Sequence, residues 1–226
     1  MAEIIANNEQ TVLDIINEYL DKNRYFNAND IVPFISSRFA KSGINVNVNG
    51  IKTILKSLVE KNVIVEGSKL IRDDVLTNIN RNKIYEYIQK NPGSHFNKIV
   101  TNLNLNIPVV EWHLNILIKF SYIIKEAIDN LDVYFDLDVK PEDRMVLYFI
   151  SKEKCKQIIN ILKEHEEGMT KHQISEQLKM HTTTVTKYTQ KLHEYKILNE
   201  MTLPNKTLFF LNYKNYNRIC QNFSFF

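Results

Sequence analysis

The chain of 226 residues is 44% hydrophobic and has a formal net charge of +3, enough apolar material for two or three small domains. Five Gly, with neither G-x-G-x-x-G nor G-x-x-x-x-G-K-[ST], exclude the common phosphate-cradling loops, and apolar runs of only a few residues exclude a membrane-spanning helix. Charge is uneven: residues 152–226 hold 12 Lys and Arg against 7 Asp and Glu, whereas residues 1–78, 79–140 and 141–151 come to −1, 0 and −1, so only the C-terminal third has the footprint of a polyanion binder.

Met1-Ala2-Glu3-Ile4-Ile5-Ala6 lacks a basic stretch, so no signal peptide is expected. Val12, Ile15, Ile16, Tyr19 and Leu20 give Thr11 to Leu20 a helical face. Asn29 or Asp30 is expected to cap a second helix from about Ile31 to Lys41, with Pro33 in its first turn and Ser42-Gly43 at its end. An extended loop, Ile44 to Val48, leads to Asn49 as the cap of a third helix, Gly50 to Lys61. Val63-Ile64-Val65 then turns at Gly67-Ser68 into Leu70-Ile71, a short hairpin.

In the middle of the chain, Lys83 to Lys90 reads as a helix ended by Asn91-Pro92-Gly93. Ser94 is expected to cap the next helix, which reaches Leu103. After a turn at Asn104-Leu105-Asn106, Pro108 opens a helix ending near Phe120. Tyr122 to Glu126 pairs with Val133 to Asp136 across Asp129-Asn130-Leu131. Near Lys152 a further helix begins, with Cys155, Ile158, Ile159 and Leu162 on its apolar face. Gly168 breaks it, Thr170 caps Lys171 to Leu178, and Thr182 caps a helix ending near Tyr195. Ile197 to Met201 pairs with Thr207 to Leu211 across Leu203-Pro204-Asn205-Lys206. The tail from residue 212 is polar and aromatic, ends in Phe223-Ser224-Phe225-Phe226, and receives no assignment.

One pattern recurs three times. Ile51, Leu58 and Ile64 are spaced like Val110, Leu117 and Ile123, and like Val185, Leu192 and Leu198. The first two anchors share one face of a helix. The third falls past its end, where an apolar pair or triplet opens a β-wing. The expected fold is therefore α+β and mostly α, with three tandem winged-helix domains at 1–78, 79–140 and 141–226, the last carrying the C-terminal tail.

The middle unit also carries a motif. Asn91-Pro92-Gly93, Phe96 and Ile99, followed by Val110, His113-Leu114 and Leu117, resembles the archaeal winged helix-turn-helix regulators of the broad ArsR/MarR-like kind. The resemblance covers roughly residues 81–137. The last unit fits the template more loosely, with Tyr188 and Thr189 where the family has His and Leu, and the first unit fits in outline. The resemblance implies that the second helix of each pair enters the major groove of double-stranded DNA while the wing reaches phosphate or the minor groove.

Carried to this chain, the resemblance implies DNA contacts from Thr183, Thr184, Thr186, Lys187, Gln190 and Lys191, with Lys206 at the wing tip. Hydroxyls at the helix start suit phosphate or base edges, and the longer side chains reach phosphates and groove edges. The first unit offers Asn49, Lys52, Thr53 and Lys56, with Lys69 on its wing. Thr184, Lys187 and Lys191 lead this set. The middle unit departs from the pattern, because Pro108, Val109 and Glu111 occupy its helix start and Asp129 and Asp132 make its wing tip acidic.

Other chemistry-bearing residues have plainer readings. Trp112 is expected to pack in a core or at a domain interface, and His113 to serve the fold. Glu164-His165-Glu166-Glu167 with His172 has metal-ligand types, but consecutive helical residues diverge, so a solvated helix end is expected. His181 either contacts phosphate or ends a turn. The spacing of Cys155 makes it a buried thiol, and Cys155 and Cys220 form no C-x-x-C, as in an intracellular, cytoplasmic protein. No nucleophile–base constellation appears, so neither catalysis nor a cofactor nor a metal is expected. The leading reading is a sequence-specific DNA-binding transcriptional regulator, with homodimerisation compatible with two half-sites. The alternative is a tandem winged-helix scaffold for protein partners, similar to ESCRT-II subunits or RNA polymerase subunits and initiation factors. A small-molecule sensor with a pocket between domains is a third reading.

Overall fold

The computed structural model describes residues 2–220, with side chains from residue 8 onward. It is mostly helical, with one three-stranded and one two-stranded antiparallel sheet. The chain forms two compact units, Met1–Ile84 with Asn106–Tyr122, and Tyr85–Leu105 with Ile123–Phe226. All nine anchors of the recurring pattern are buried. The terminal Phe223-Ser224-Phe225-Phe226, which carries no assignment from the sequence, lies outside the described residues.

In the first unit, helices α1 (Ala2–Lys22), α2 (Ala28–Lys41) and α3 (Val48–Glu60) pack against one another. Val12, Ile16, Ile31, Ile35, Phe39, Ile51 and Leu58 fill the core between them. The cap of α2 lies two or three residues before the expected Asn29 or Asp30, and that of α3 two before the expected Asn49. Asn27 accepts from the N–H of Asn29 and Asp30, and Asn47 accepts from Gly50 N–H. Asn29 and Asn49 are thus helical residues, and Pro33 lies beyond the first turn of α2. The expected hairpin shrinks to a single bridge, Ile64 to Ile71. The amides of Val63 and Ile64 turn back to Leu58 O, while Gly67 N–H donates to Phe26 O at 2.9 Å and Phe26 N–H to Ser68 O at 2.7 Å. Backbone groups already satisfied in this way are not free for a ladder. A short helix α4 (Arg72–Val75) follows, and α5 (Ile79–Lys90) crosses the boundary between the units. Helix α7 (Ile107–Lys119) belongs to the first unit. There Arg72 donates to Phe120 O at 2.5 Å and Tyr122 Oη to Arg72 O at 3.0 Å, holding the C-terminal end of α7 beside α4.

In the second unit, strand β1 (Ser94–His95) precedes α6 (Phe96–Leu103), and β2 (Ile123–Ile128) and β3 (Leu131–Asp136) form a hairpin. The strand order is β1-β3-β2. His95, not Ser94, caps α6, its ring accepting from Lys98 N–H at 3.3 Å. Asp129 and Asn130 both have positive φ, the backbone of a two-residue turn whose twist matches that of its strands. Next come α8 (Pro141–Ile150), α9 (Glu153–Glu164), α10 (Lys171–Leu178), α11 (Thr182–Glu194), the hairpin β4 (Leu198–Leu203) with β5 (Lys206–Leu211), and α12 (Tyr213–Cys220). One core runs from Ile128, Val133 and Phe135 through Leu147 and Ile150 to Val185, Leu192 and Ile219.

Helix α8 has no counterpart in the sequence reading. Its residues Val146 to Ile150 are all buried, so it lacks the one-sided stripe by which amphipathic helices are read.

Candidate nucleic-acid interface

The first candidate face lies on α11. Thr170 closes a reciprocal capping box with Gln173 at the start of α10. Lys179 ends α10 in a left-handed conformation (φ 50°), and Ser175 Oγ donates to Met180 O at 2.6 Å. These contacts fix the turn before α11. The cap of α11 is His181, not Thr182, and its side chain makes no capping bond. Its Nδ1 lies 2.8 Å from Thr183 Oγ1, which settles the ring in the turn. Val185, Thr189 and Leu192 face the core, with Thr189 Oγ1 donating to Val185 O at 2.9 Å. A hydroxyl at a buried position is thereby satisfied within the helix.

The opposite side of α11 is exposed or half-exposed. Thr183, Thr186, Lys187, Gln190 and Lys191 line one shallow groove of about 460 Å³, together with Thr182 and Glu194. Thr184 is half-buried and outside that lining. From the sequence Thr182 reads as a cap and not as a contact, and Glu194 carries no reading, although Thr182, Thr186, Gln190 and Glu194 follow a four-residue period along one face. Lys191 bonds Glu194 Oε2 at 2.7 Å, which raises its pKa first through that bond and then through Tyr195. Lys206 is exposed at the start of β5, paired with Leu203 at the hairpin tip.

The first unit is organised differently. Lys52 and Lys56 line a groove with Leu55, Val59, Glu60 and Glu66, so two carboxylates accompany the two cations. Lys56 lies 3.7 Å from Glu60. Asn49 and Thr53 are exposed but outside this groove, and Thr53 Oγ1 is engaged with Asn49 O at 2.9 Å. Lys69 is exposed in the loop that replaces the expected wing.

The middle helix-turn-helix presents another surface. On α7, Val110, His113, Leu114 and Leu117 are buried, while Ile107 is 57% and Trp112 56% exposed. The packing expected for Trp112 is therefore replaced by an exposed indole, 5.3 Å from the Arg81 guanidinium carbon. His113 is 3% exposed and its Nδ1 has no hydrogen-bond partner among the described residues. Burial, with Arg81 adding to it, pushes its pKa down. The acidic hairpin tip is neutralised within the second unit: Asp129 accepts from Lys152 Nζ at 2.7 Å and Tyr148 Oη at 3.1 Å, and Asp132 pairs with Lys125 at 3.3 Å. The Lys152 bond is the first cause of the lowered Asp129 pKa. Nothing in the local sequence signals this contact across 23 residues.

Sequence comparisons agree with the middle element order. A family described as an N-terminal HTH domain matches residues 78–147. An uncharacterized HTH-type transcriptional regulator from Methanocaldococcus jannaschii is 30% identical over 143 residues, which cover 63% of this chain and 36% of that relative. The chain thus matches little more than a third of the relative's length. These residues form a helix-turn-helix, and the chain is similar to an archaeal helix-turn-helix regulator. Among the described residues, no helix is long and apolar enough to cross a membrane.

Proposed function

We propose that the chain is a sequence-specific DNA-binding transcriptional regulator of three tandem winged-helix units, acting by binding without catalysis. The observation that carries this reading is the α11 face, where Thr183, Thr186, Lys187, Gln190 and Lys191 converge on one groove beside a hairpin tipped by Lys206. Two hydroxyls at a helix start, an amide and two ammonium groups are the donors used on phosphates and base edges. The order α9, α10, α11, β4, β5, with the Met169–Phe209 bridge, supports a winged helix, and α5, β1, α6, α7, β2, β3 repeats the scheme. The first unit supplies the helices and only one bridge of a wing. The relative's printed name supports the same assignment. Lys52, Lys56 and Lys69 extend the proposed contact to the first unit, and a homodimer would present two reading helices to two half-sites.

The test is a fluorescence-anisotropy titration of the full chain against the duplex upstream of its own coding sequence and a scrambled duplex, at low and near-physiological salt. Tighter binding to the upstream duplex, weakened at least about tenfold by Lys187→Glu, is expected from the loss and reversal of one phosphate contact. Equal affinity for both duplexes refutes sequence specificity. Absence of binding at low salt refutes the DNA reading and directs attention to copurifying proteins.

A further inference from the structure

A second cavity in the second unit, of about 480 Å³, shares no lining residue with the outer groove of α11. His95, Lys98, Leu131, Lys152, Lys154 and Tyr188 line it, with Glu153 the one acid in its lining. Its size falls within the range of small-molecule sites. Its charge is unbalanced. Lys152 already has an anion, since Asp129 accepts from it at 2.7 Å and Tyr148 Oη bonds the same carboxylate. Lys98 and Lys154 have no ion-pair partner among the described residues. His95 Nδ1 accepts from Lys98 N–H, so the neutral ring carries its proton on Nε2, as a donor. Lys152, at the N-cap of α9, makes no side-chain capping bond. The same lining includes Leu131, 40% exposed, and the ring of Tyr188.

We propose that this cavity binds a small phosphate monoester, with the phosphate between Lys98 and Lys154 and a flat apolar portion against Leu131 and Tyr188. Two unpaired ammonium groups match the charge of a phosphate dianion, and an imidazole N–H adds direction. The ligand competes with Asp129 for Lys152. It also touches the proposed reading helix, because Tyr188 follows Lys187 on α11 while Lys187 lines the outer groove. An occupant here is therefore placed to alter DNA binding. The site itself does not depend on the DNA assignment.

Calorimetric titration of the full chain with AMP and with inorganic phosphate, at constant ionic strength, tests the proposal. Saturable binding is expected, tighter for AMP. The double variant Lys98→Gln with Lys154→Gln weakens it by about tenfold or more, the scale of losing charge-assisted hydrogen bonds. Asp129→Asn acts in the opposite direction and tightens binding several-fold, because Lys152 loses its internal anion, a sign that misfolding does not mimic. Lys214→Gln, which removes one positive charge from an exposed position of α12, leaves binding unchanged. No saturable binding of either probe overturns the proposal, as does indifference to the double variant. Displacement of AMP by a short duplex, together with loss of AMP binding in Lys187→Glu, assigns the phosphate to a nucleic-acid backbone and also overturns it.

Discussion

Gly93→Ala tests how tightly the second unit is built around the turn before β1. Gly93 has φ +80°, and a Cβ there meets Tyr148 Cα at 2.7 Å and Tyr148 N at 3.0 Å. The obstacle is helical backbone in α8, not a side-chain tip that rotates away. Gly93 N–H also donates to Tyr134 O at 3.0 Å, so the turn is held from both sides. A left-handed backbone costs a residue with a Cβ about 1–2 kcal/mol. Overpacking against an element that cannot shift adds about 1–3 kcal/mol. The expected destabilisation is about 2–5 kcal/mol. Gly43→Ala supplies the reference, because Gly43 has φ +68° and nothing within 4 Å of an added Cβ. It carries the conformational cost alone, and the loss of unfolded-state freedom offsets part of the cost equally at both sites. Urea unfolding followed by far-UV circular dichroism is the assay, since Trp112 lies in the first unit and reports poorly on the second. A Gly93→Ala chain no less stable than Gly43→Ala refutes the claim that α8 closes on this turn.

Further outcomes follow from single groups. The buried His113 imidazole is held below its ordinary value of 6.5, first by burial and then by Arg81, so the unfolded chain binds its proton at a higher pH than the folded one. Its contribution to stability is complete above that ordinary value and is lost as pH falls from 6.5 toward the lowered folded value. Urea midpoints at about pH 7.5 and about pH 5.5 should therefore converge in His113→Leu relative to the parent chain, and a gap equal to the parent's contradicts the assignment. The same substitution should cost little at neutral pH, because the Nδ1 it removes has no partner. Burial pushes the Cys155 thiol up to about 12 and the Cys220 thiol up to about 11. Both should react far more slowly with Ellman's reagent in the native chain than in denaturant, and labelling of native Cys155 at a free-thiol rate disproves its burial. For DNA, Lys206→Ala should reduce the log–log salt slope by about 1 without changing the preference between duplexes. An unchanged slope removes the hairpin tip from the interface.

The legible parts of this fold are those decided by nearby residues. The helix from Lys171 to Leu178 was readable because Thr170 and Gln173 cap it reciprocally, and α11 because Val185 and Leu192 mark its inner face. The caps of α2 and α3 were misplaced because Asn occurs at 27 and 29, and again at 47 and 49, and composition does not choose between them. The choice falls to whichever oxygen reaches an amide two or three residues ahead. The first hairpin failed for a remote reason, since Gly67 and Ser68 spend their backbone bonds on Phe26, about 40 positions earlier in the chain. Trp112 was misjudged by hydrophobicity alone. Its position falls outside the buried set of Val110, His113, Leu114 and Leu117, so periodicity already placed it outward. Of the α11 face, residues and spacing were visible, but the withdrawal of Thr184 from the groove required the actual rotation of the helix.

Fold resemblance and charge point to different parts of the chain. The matched HTH segment, residues 78–147, contains α7, whose exposed surface offers Ile107, Glu111 and Trp112. A carboxylate with no ion pair among the described residues and two large apolar groups do not attract a phosphate backbone, and affinity for duplex DNA is dominated by that attraction. The hairpin after α7 does not offset this, because its tip carboxylate Asp129 is held by Lys152 and Tyr148. Residues 152–226 reverse the balance with 12 cations against 7 anions and place two lysines, an amide and three threonines along one groove, with Glu194 the one carboxylate in its lining. Sequence similarity follows what the core must keep, and α7 keeps the buried Val110, His113, Leu114 and Leu117 of the motif whatever its outer face does. Attraction to a phosphate backbone instead depends on the outer face, where the lysines of α11 favour it as the proposed reading helix.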